Sequence, residues 1–192
     1  MQKAMTKVSR REHIIETTLR CIEKFGVNKT TLDDVAAEAG MGRMTLYRVF
    51  RTRNDLLNAA ALSRLKLIGE GVAPLIRSYN RFEDAIIMGS LESIALAKSD
   101  PYYLQIVEAL DDLSREKLLL STDTLVQKFF ADSWGNTFQK AREKGLLKDD
   151  ISDNEIFIWL RANQLILFLR EDLDRDGQIQ FFKKFVMPPI MA

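Results

Sequence analysis

The sequence predicts an all-α fold, and three observations support this prediction. Apolar residues recur at spacings of three and four along most of the 192-residue chain, as they do on the buried faces of helices. Hydroxyl residues followed three positions later by acidic residues mark helix starts in three places, and glycine or proline stands where several of the apolar runs end. No run of alternating apolar and polar residues bounded by turn residues indicates a β-strand.

The first quarter of the chain predicts three short helices. Apolar residues at helical spacing end at Phe25, and we expect Gly26 to stop the first helix in the left-handed αL conformation. Residues 31–34 have the form of a capping box and open a second helix, which Gly40 ends. A third helical segment is predicted over residues 43–50.

A second capping box, over residues 52–55, predicts a long fourth helix. We expect this helix to end near Gly69 or Gly71, because Pro74 closes the region. The next helix is predicted from the apolar spacing over residues 82–94.

Four further helices are predicted toward the C-terminus. Asp100 precedes a proline, which is typical of an N-cap residue and the first helical position. Aromatic and aliphatic residues predict a helix over 122–144, which Gly145 ends. A third capping box opens a very apolar helix over about 152–170, and the last predicted helix covers 175–186.

The composition excludes most classes of enzyme. With 46% hydrophobic and 29% charged residues, the chain is an ordinary globular protein of one large or two small domains. The chain has one cysteine, Cys21, so no disulfide can form within it. Cys21 and the one histidine, His13, are too few to form a cluster with zinc-ligand spacing. No glycine-rich phosphate loop precedes a helix. We therefore expect no enzymatic activity, no catalytic residue, no metal and no cofactor.

The charge pattern indicates a location and a partner. Residues 1–26 are too rich in charge for a signal peptide, and the most apolar stretch, 156–169, contains Arg161 and is shorter than a membrane span. We expect a cytoplasmic protein without membrane contact.

Residues 1–55 hold 11 Lys and Arg against 7 Asp and Glu, a net charge of +4. Such a basic segment favours a polyanion as partner, although chance unevenness gives the same number.

Residues 32–51 have the pattern of a helix-turn-helix. Ala36 supplies a small side chain where two short helices cross, and Gly40 permits a left-handed turn between them. Val35 and Leu46 fall on the faces that pack together. The outward face of the second helix then carries five residues that suit the DNA major groove: Arg43, Met44, Thr45, Tyr47 and Arg48. The alternative is an ordinary helical hairpin with a solvated basic face.

These residues resemble the DNA-binding domain of the TetR family of bacterial transcriptional regulators. The signature is Thr45-Leu46-Tyr47, then Phe50, then Asp55-Leu56-Leu57, and the resemblance covers about residues 8–60. It implies a helix-turn-helix domain over 1–52 and an effector-binding and dimerisation domain over 53–192. By resemblance, the DNA contacts are Thr31, Arg43, Met44, Thr45, Tyr47, Arg48 and Arg53.

Three positions depart from the pattern of the family. Asp33 stands where many relatives carry a basic or neutral polar residue, and a carboxylate near phosphate weakens binding unless it turns away. Gly42 replaces the usual Ser cap of the second helix of the motif. Val49 replaces a common His or Tyr, so a DNA contact from this position is in question.

The resemblance also implies a two-fold dimer formed by the last two helices. Residues 156–169 are apolar nearly all round, so their helix needs partners on two sides. One partner would be its own domain and the other a second copy of the chain. The alternative is a central helix of a large monomeric core. The expected interface residues are Ile158, Trp159, Leu165, Ile166, Leu169, Phe181 and Phe185.

An effector pocket is expected in the same domain. Aromatic, polarizable or isolated polar residues lie on helices that line the pocket in relatives, and an apolar cavity with a few polar groups is the usual form of such a site. These residues are Met88, Glu92, Tyr102, Trp134, Phe138, Gln164 and Phe168. For each of them, ordinary core packing is the alternative.

Together these features predict a ligand-responsive, DNA-binding transcriptional regulator that acts as a homodimer. We expect a repressor that a small-molecule effector of unknown class releases from a pseudo-palindromic double-stranded DNA operator. The alternative is an architectural or protein-recruiting DNA-binding dimer without an effector.

Overall fold

A computed structural model describes residues 7–119 and 124–192 of the chain. Within these ranges the fold is all-α, as predicted, and the one extended pairing is an isolated antiparallel bridge between Leu147 and Met191. The helices in chain order are α1 (Lys7–Phe25), α2 (Leu32–Glu38), α3 (Arg43–Tyr47), α4 (Arg53–Ser78), α5 (Phe82–Ser99), α6 (Tyr103–Glu108), α7 (Asp112–Leu119), α8 (Thr124–Glu143), α9 (Asp153–Leu169) and α10 (Arg175–Phe181). A 3₁₀ turn covers Val27–Lys29, and a π-helical turn, Phe182–Val186, continues α10.

The chain divides into two compact units. The first unit comprises the residues up to Arg64 together with Asp100–Arg115, and the second comprises Leu65–Ser99 and Glu116–Ala192. The division falls inside α4, whereas the boundary expected from the sequence lies at the start of that helix. Helix α4 therefore contributes residues to both units.

The first unit has a small helical core, and a capping box sets the start of its helix α2. Ile14 of α1, Val35 of α2, Leu46 of α3 and Leu56 of α4 are buried in one cluster. The predicted capping box at the start of α2 is present, because the Thr31 hydroxyl accepts the backbone N–H of Asp34 and the Asp34 carboxylate accepts that of Thr31. Such reciprocal bonds fix where the helix starts.

The second unit has an aromatic core. The rings of Phe130 and Phe157 lie 4.3 Å apart between centroids, and Phe130 also stacks on Trp134 at 5.5 Å. A side chain at Gly89 would lie 2.8 Å from the Trp134 ring and 2.7 Å from Ile76, so only glycine lets α5 approach these residues so closely. The predicted third capping box, between Ser152 and Glu155, opens α9.

The main difference from the sequence prediction lies in α4. The helix does not end at Gly69 or Gly71 but continues through Pro74 to Ser78. Proline in a helix removes one backbone hydrogen bond, a cost that packing on either side can offset. Val72 and Ile76 supply this packing, because both are almost fully buried.

Four smaller details also differ. Gly26 has the expected positive φ of 81°, but its ψ of 154° lies outside the αL region. Helix α6 begins at Tyr103, because the backbone at Pro101 forms a turn before it. Helix α7 and the 3₁₀ turn were not predicted, since neither has a distinct apolar repeat. Residues 122 and 123 of the predicted 122–144 helix lie outside the described residues.

Candidate nucleic-acid interface

Helices α2 and α3 form the predicted helix-turn-helix. Val35 and Leu46 are fully buried where the two helices pack, and the small Ala36 lies beside them in the same core. Gly40 takes φ +63°, and the backbone N–H of Met41 donates to the carbonyl of Ala36 at 3.0 Å. Because both faces and the turn are fixed by packing and hydrogen bonds, α3 presents its other face in a defined orientation.

The outward face of α3 carries residues that were predicted from the sequence to lie there. Arg43, Tyr47 and Arg48 are exposed, and Met44 has 71% of its surface in contact with solvent. Thr45 is half-buried. This face of α3 therefore combines basic, hydroxyl and apolar side chains that are open to solvent.

An acidic residue lies on this surface beside the first residue of α3. Arg43 Nε is 3.1 Å from Asp33 Oδ1, so the two residues form an ion pair. Asp33 Oδ1 is shielded from solvent and has no hydrogen-bond partner among the described residues. The carboxylate that the sequence analysis placed near phosphate is therefore turned toward Arg43.

Two of the expected phosphate contacts are engaged within the protein. The Thr31 hydroxyl donates to Asp34 Oδ2 at 2.5 Å, and this hydrogen bond and that of the Thr31 backbone hold the pKa of Asp34 below its ordinary value. Arg53 donates from Nε to the carbonyl of Thr30 at 3.0 Å and from Nη2 to that of Val27 at 2.5 Å. Arg53 thus stabilises the segment between α1 and α2 through these two hydrogen bonds.

Two features of this surface were not predicted from the sequence, namely Arg11 and the pairing of Asp33. The Arg11 guanidinium lies over the ring of Phe50, 5.2 Å from its centroid, on the exposed side of α1. No sequence signal identifies such a contact, because its partners are far apart in the chain and meet only through the packing of α1 against the helix-turn-helix.

Residues 100–115 belong to the same unit as the helix-turn-helix. Asn54 of α4 donates to the Ser114 hydroxyl at 2.6 Å and accepts the backbone N–H of Asp111 at 2.9 Å. Tyr102, expected in the effector pocket, lies in this unit under the guanidinium of Arg64, 5.7 Å from the ring centroid. Burial and the nearby Glu23 carboxylate raise the pKa of the Tyr102 phenol.

The other expected pocket residues lie in the second unit. Trp134 and Phe138 are buried in the aromatic core, and Met88 and Phe168 pack against it. Gln164 is buried and donates to the Ser90 hydroxyl at 3.0 Å. Glu92 is half-buried and makes no hydrogen bond or ion pair with any described residue.

An open groove in the second unit is lined by different residues. The groove is open to solvent, and none of the expected pocket residues lines it. Three cations at its edge, Arg77, Lys140 and Lys144, make no ion pair with the described residues. Three basic side chains therefore lie at this groove.

The expected dimer residues form an exposed apolar face. On α9, Ile158, Ile166 and Leu169 are exposed, and Phe185 of the π-helical turn has 60% of its surface in solvent. Trp159 is exposed at its ring but donates from Nε1 to the carbonyl of Val186 at 2.9 Å, which ties α9 to the turn. Leu165 and Phe181 are half-buried.

The described residues contain neither a membrane-spanning helix nor a metal-binding cluster. No described helix is long and apolar enough to cross a membrane. Over 7–119 and 124–192, no group of three or more His, Cys, Asp or Glu side chains is arranged to hold a metal ion.

Comparison with known proteins identifies the helix-turn-helix. Residues 14–60 match the family model for bacterial regulatory proteins of the tetR family. An uncharacterized HTH-type transcriptional regulator of Mycobacterium tuberculosis is 29% identical over 139 residues, which cover 70% of this chain and 58% of the relative. The HTH-type regulator YerO of Bacillus subtilis is 23% identical, over 64% of this chain and 50% of the relative. The chain thus spans about half the length of the curated relatives it matches.

Solved structures show the same fold over nearly the whole chain. A TetR family protein from Vibrio parahaemolyticus superposes with a TM-score of 0.57 at 21% identity, covering 95% of this chain and 99% of the other. A TetR-family regulator from Pectobacterium atrosepticum gives a TM-score of 0.60 at 16% identity, covering 92% and 91%. At these identities the likeness extends to the fold alone.

Proposed function

Since the chain belongs to the TetR family of bacterial, DNA-binding transcriptional regulators, we propose that it is a homodimeric repressor released from its operator by a small-molecule effector. Each subunit places α3 in the major groove of one half-site, with its N-terminal residues toward the bases. A protein of this function acts where bacterial DNA is held, in the cytoplasm. No catalytic step is part of the proposal.

The exposed face of α3 is the observation that carries the DNA contact. Arg43, Met44 and Thr45 are proposed to contact bases, because they occupy the first turn of a helix that is held rigidly against α2. Tyr47 and Arg48, one turn later and exposed, contact phosphate or a base edge.

Phosphate contacts from Thr31 and Arg53 are also part of the proposal, with a condition on each. The Thr31 hydroxyl has to redirect its hydrogen from Asp34 Oδ2 to donate to a phosphate oxygen, while its oxygen continues to accept the backbone N–H of Asp34 and so caps α2. Arg53 retains Nη1 for phosphate while Nε and Nη2 hold the carbonyls of Thr30 and Val27. Both residues therefore combine a structural role with the proposed contact.

The apolar face of α9 and the turn after α10 supports dimerisation. A face that carries Ile158, Ile166, Leu169 and Phe185 in solvent is larger than the scattered apolar residues of an ordinary surface. A second copy of the same face covers it in an isologous interface. Such a dimer would carry two copies of α3, and helix-turn-helix dimers bind half-sites about 34–36 Å apart.

We propose the effector site within the second unit, among Met88, Glu92, Trp134, Phe138, Gln164 and Phe168. Polar groups beside the aromatic core come from the half-buried Glu92 carboxylate, which has no partner among the described residues, and from the buried Gln164–Ser90 pair. Helix α4 contributes to both units and is the element through which an effector would act on α3. A coupling of about 1–3 kcal/mol changes DNA affinity by roughly 5–150-fold.

Selection of bound DNA from a randomised duplex pool, at fixed moderate salt, tests the proposed function. We expect a two-fold symmetric motif whose half-sites are about 10 base pairs apart. An Arg43→Ala variant that folds normally should recover no such motif. Recovery of no motif by the unmodified protein, with binding that weakens steeply as salt rises, would instead indicate backbone attraction alone and favour the architectural alternative.

A further inference from the structure

Asp33 is an acidic residue on the surface proposed to bind DNA, and its presence there needs a physical explanation. The phosphate backbone repels a carboxylate, so Asp33 on the DNA side of α2 weakens binding unless it has a second effect. It takes no part in capping α2, because the adjacent Asp34 fills that role with Thr31. Its one ion-pair partner among the described residues is Arg43.

The ion pair between Asp33 and Arg43 is held in place by the burial of one oxygen atom. Asp33 Oδ1 is shielded from solvent without a hydrogen bond, and Arg43 Nε at 3.1 Å supplies the compensating charge. Leaving a buried carboxylate oxygen without any partner is costly. The position of the guanidinium beside Asp33 is therefore favoured over the many others open to an exposed arginine.

The pair leaves the outer end of the guanidinium available. Arg43 has 72% of its side chain in solvent, and neither of its Nη groups has a partner among the described residues. Two parallel N–H donors at the end of an arginine match O6 and N7 of guanine in the major groove. The ion pair with Asp33 thus restrains Arg43 at Nε, and the two Nη groups of Arg43 stay available to donate to a base.

We propose that Asp33 is a positioning residue that directs Arg43 to a guanine in each half-site. This inference rests on the proposed function of α3. Asp33 selects the base contact in two ways, because it holds Arg43 at Nε and because its own charge disfavours the alternative contact of Arg43 with a phosphate. Removing the charge of Asp33 releases Arg43 to the backbone, which raises sequence-independent affinity and lowers discrimination at one base pair.

Asp33→Asn tests this role on operator duplexes that carry each of the four base pairs, one position at a time, along the half-site selected by the unmodified protein. Binding is measured by fluorescence anisotropy at fixed salt for the unmodified protein, both single variants and the double variant. The unmodified protein should prefer guanine by about 5–150-fold, the range of one bidentate contact. Asp33→Asn should lose most of this preference and bind a scrambled duplex more tightly. In the Arg43→Ala background it should leave the base preference unchanged and raise affinity for all duplexes equally, because only the repulsion between its carboxylate and the phosphates is removed.

Glu38→Gln provides the matched control, because it removes another exposed acid of α2 that has no ion-pair partner among the described residues. It should raise affinity for all duplexes equally and leave the guanine preference intact. Retention of the guanine preference by Asp33→Asn, or an equal effect in the presence and absence of Arg43, would overturn the positioning role while leaving the proposed function in place. Failure of the unmodified protein to discriminate any base pair would overturn both.

Discussion

The carboxylate of Asp100 binds the guanidinium of Arg64, with Nη2 2.5 Å and Nε 2.9 Å from the same Oδ2 atom. Its other oxygen, Oδ1, accepts the backbone N–H groups of Tyr102 and Tyr103 at 3.0 and 2.8 Å. One buried side chain therefore caps the start of α6 and ties it to α4. Both elements belong to the unit that contains the helix-turn-helix.

Replacement of Asp100 by Asn should destabilise this unit by about 1–3 kcal/mol, because it removes the charged partner of a half-buried guanidinium while an amide oxygen still caps α6. Urea unfolding at pH 7 measures the difference. Asp172→Asn is the control, since the ion pair of Asp172 with Arg170 lies at the surface and should contribute nothing measurable. Equal effects of the two substitutions would contradict the structural role of Asp100.

The stabilisation from Asp100 should disappear in acid. Burial alone raises the pKa of Asp100, but the hydrogen bonds from Arg64 and from the backbone of Tyr103 and Tyr102 outweigh it, so the pKa lies below its ordinary value. A carboxyl whose pKa is lower in the folded state stabilises the fold above its unfolded pKa, near 3.9, and loses that effect as the pH falls below it. The difference in unfolding free energy between the unmodified protein and Asp100→Asn should be constant above about pH 5 and shrink below pH 4. A difference that grows in acid would show that the sign is wrong.

Gly89→Ala should destabilise the second unit by about 1–3 kcal/mol, because the added Cβ would lie 2.8 Å from the Trp134 ring and 2.7 Å from Ile76. Gly135→Ala in α8 is the matched control. A Cβ at Gly135 meets no atom within 4 Å, so this substitution should stabilise the helix by about 0.5–1 kcal/mol. Thermal unfolding followed by tryptophan fluorescence distinguishes the two. A stabilising effect at Gly89 would contradict the close packing of α5.

Ile166→Glu should convert the proposed dimer to a monomer, since it places a charge in the apolar face of α9. Light scattering after size-exclusion chromatography measures the mass. Leu67→Glu alters an equally exposed apolar residue on α4, outside that face, and should leave the mass unchanged. Loss of the dimer in Leu67→Glu rather than in Ile166→Glu would place the interface elsewhere.

The features that the sequence predicted correctly depend on neighbouring residues. The capping boxes at Thr31 and Ser152 and the positive φ of Gly40 involve partners within four positions, so residue types at fixed spacing are sufficient to identify them. The family signature around Tyr47 is equally local.

The features that the sequence could not reveal depend on packing between distant segments. From the sequence, Arg53 was expected only as a phosphate contact. In the fold its guanidinium also donates to the carbonyls of Val27 and Thr30, which are distant in the chain. The direction of Asp33 toward Arg43 depends on the turn at Gly40. The passage of α4 through Pro74 depends on buried side chains on either side, which outweigh the local rule.

The most direct test of the account compares two duplexes of equal length, one carrying the selected two-fold symmetric motif and the other the same bases in scrambled order. Their affinities for the unmodified protein are measured at the same near-physiological salt concentration. A sequence-reading dimer should bind the symmetric duplex at least about 1,000-fold more tightly. Equal affinities for the two duplexes would contradict base reading by α3.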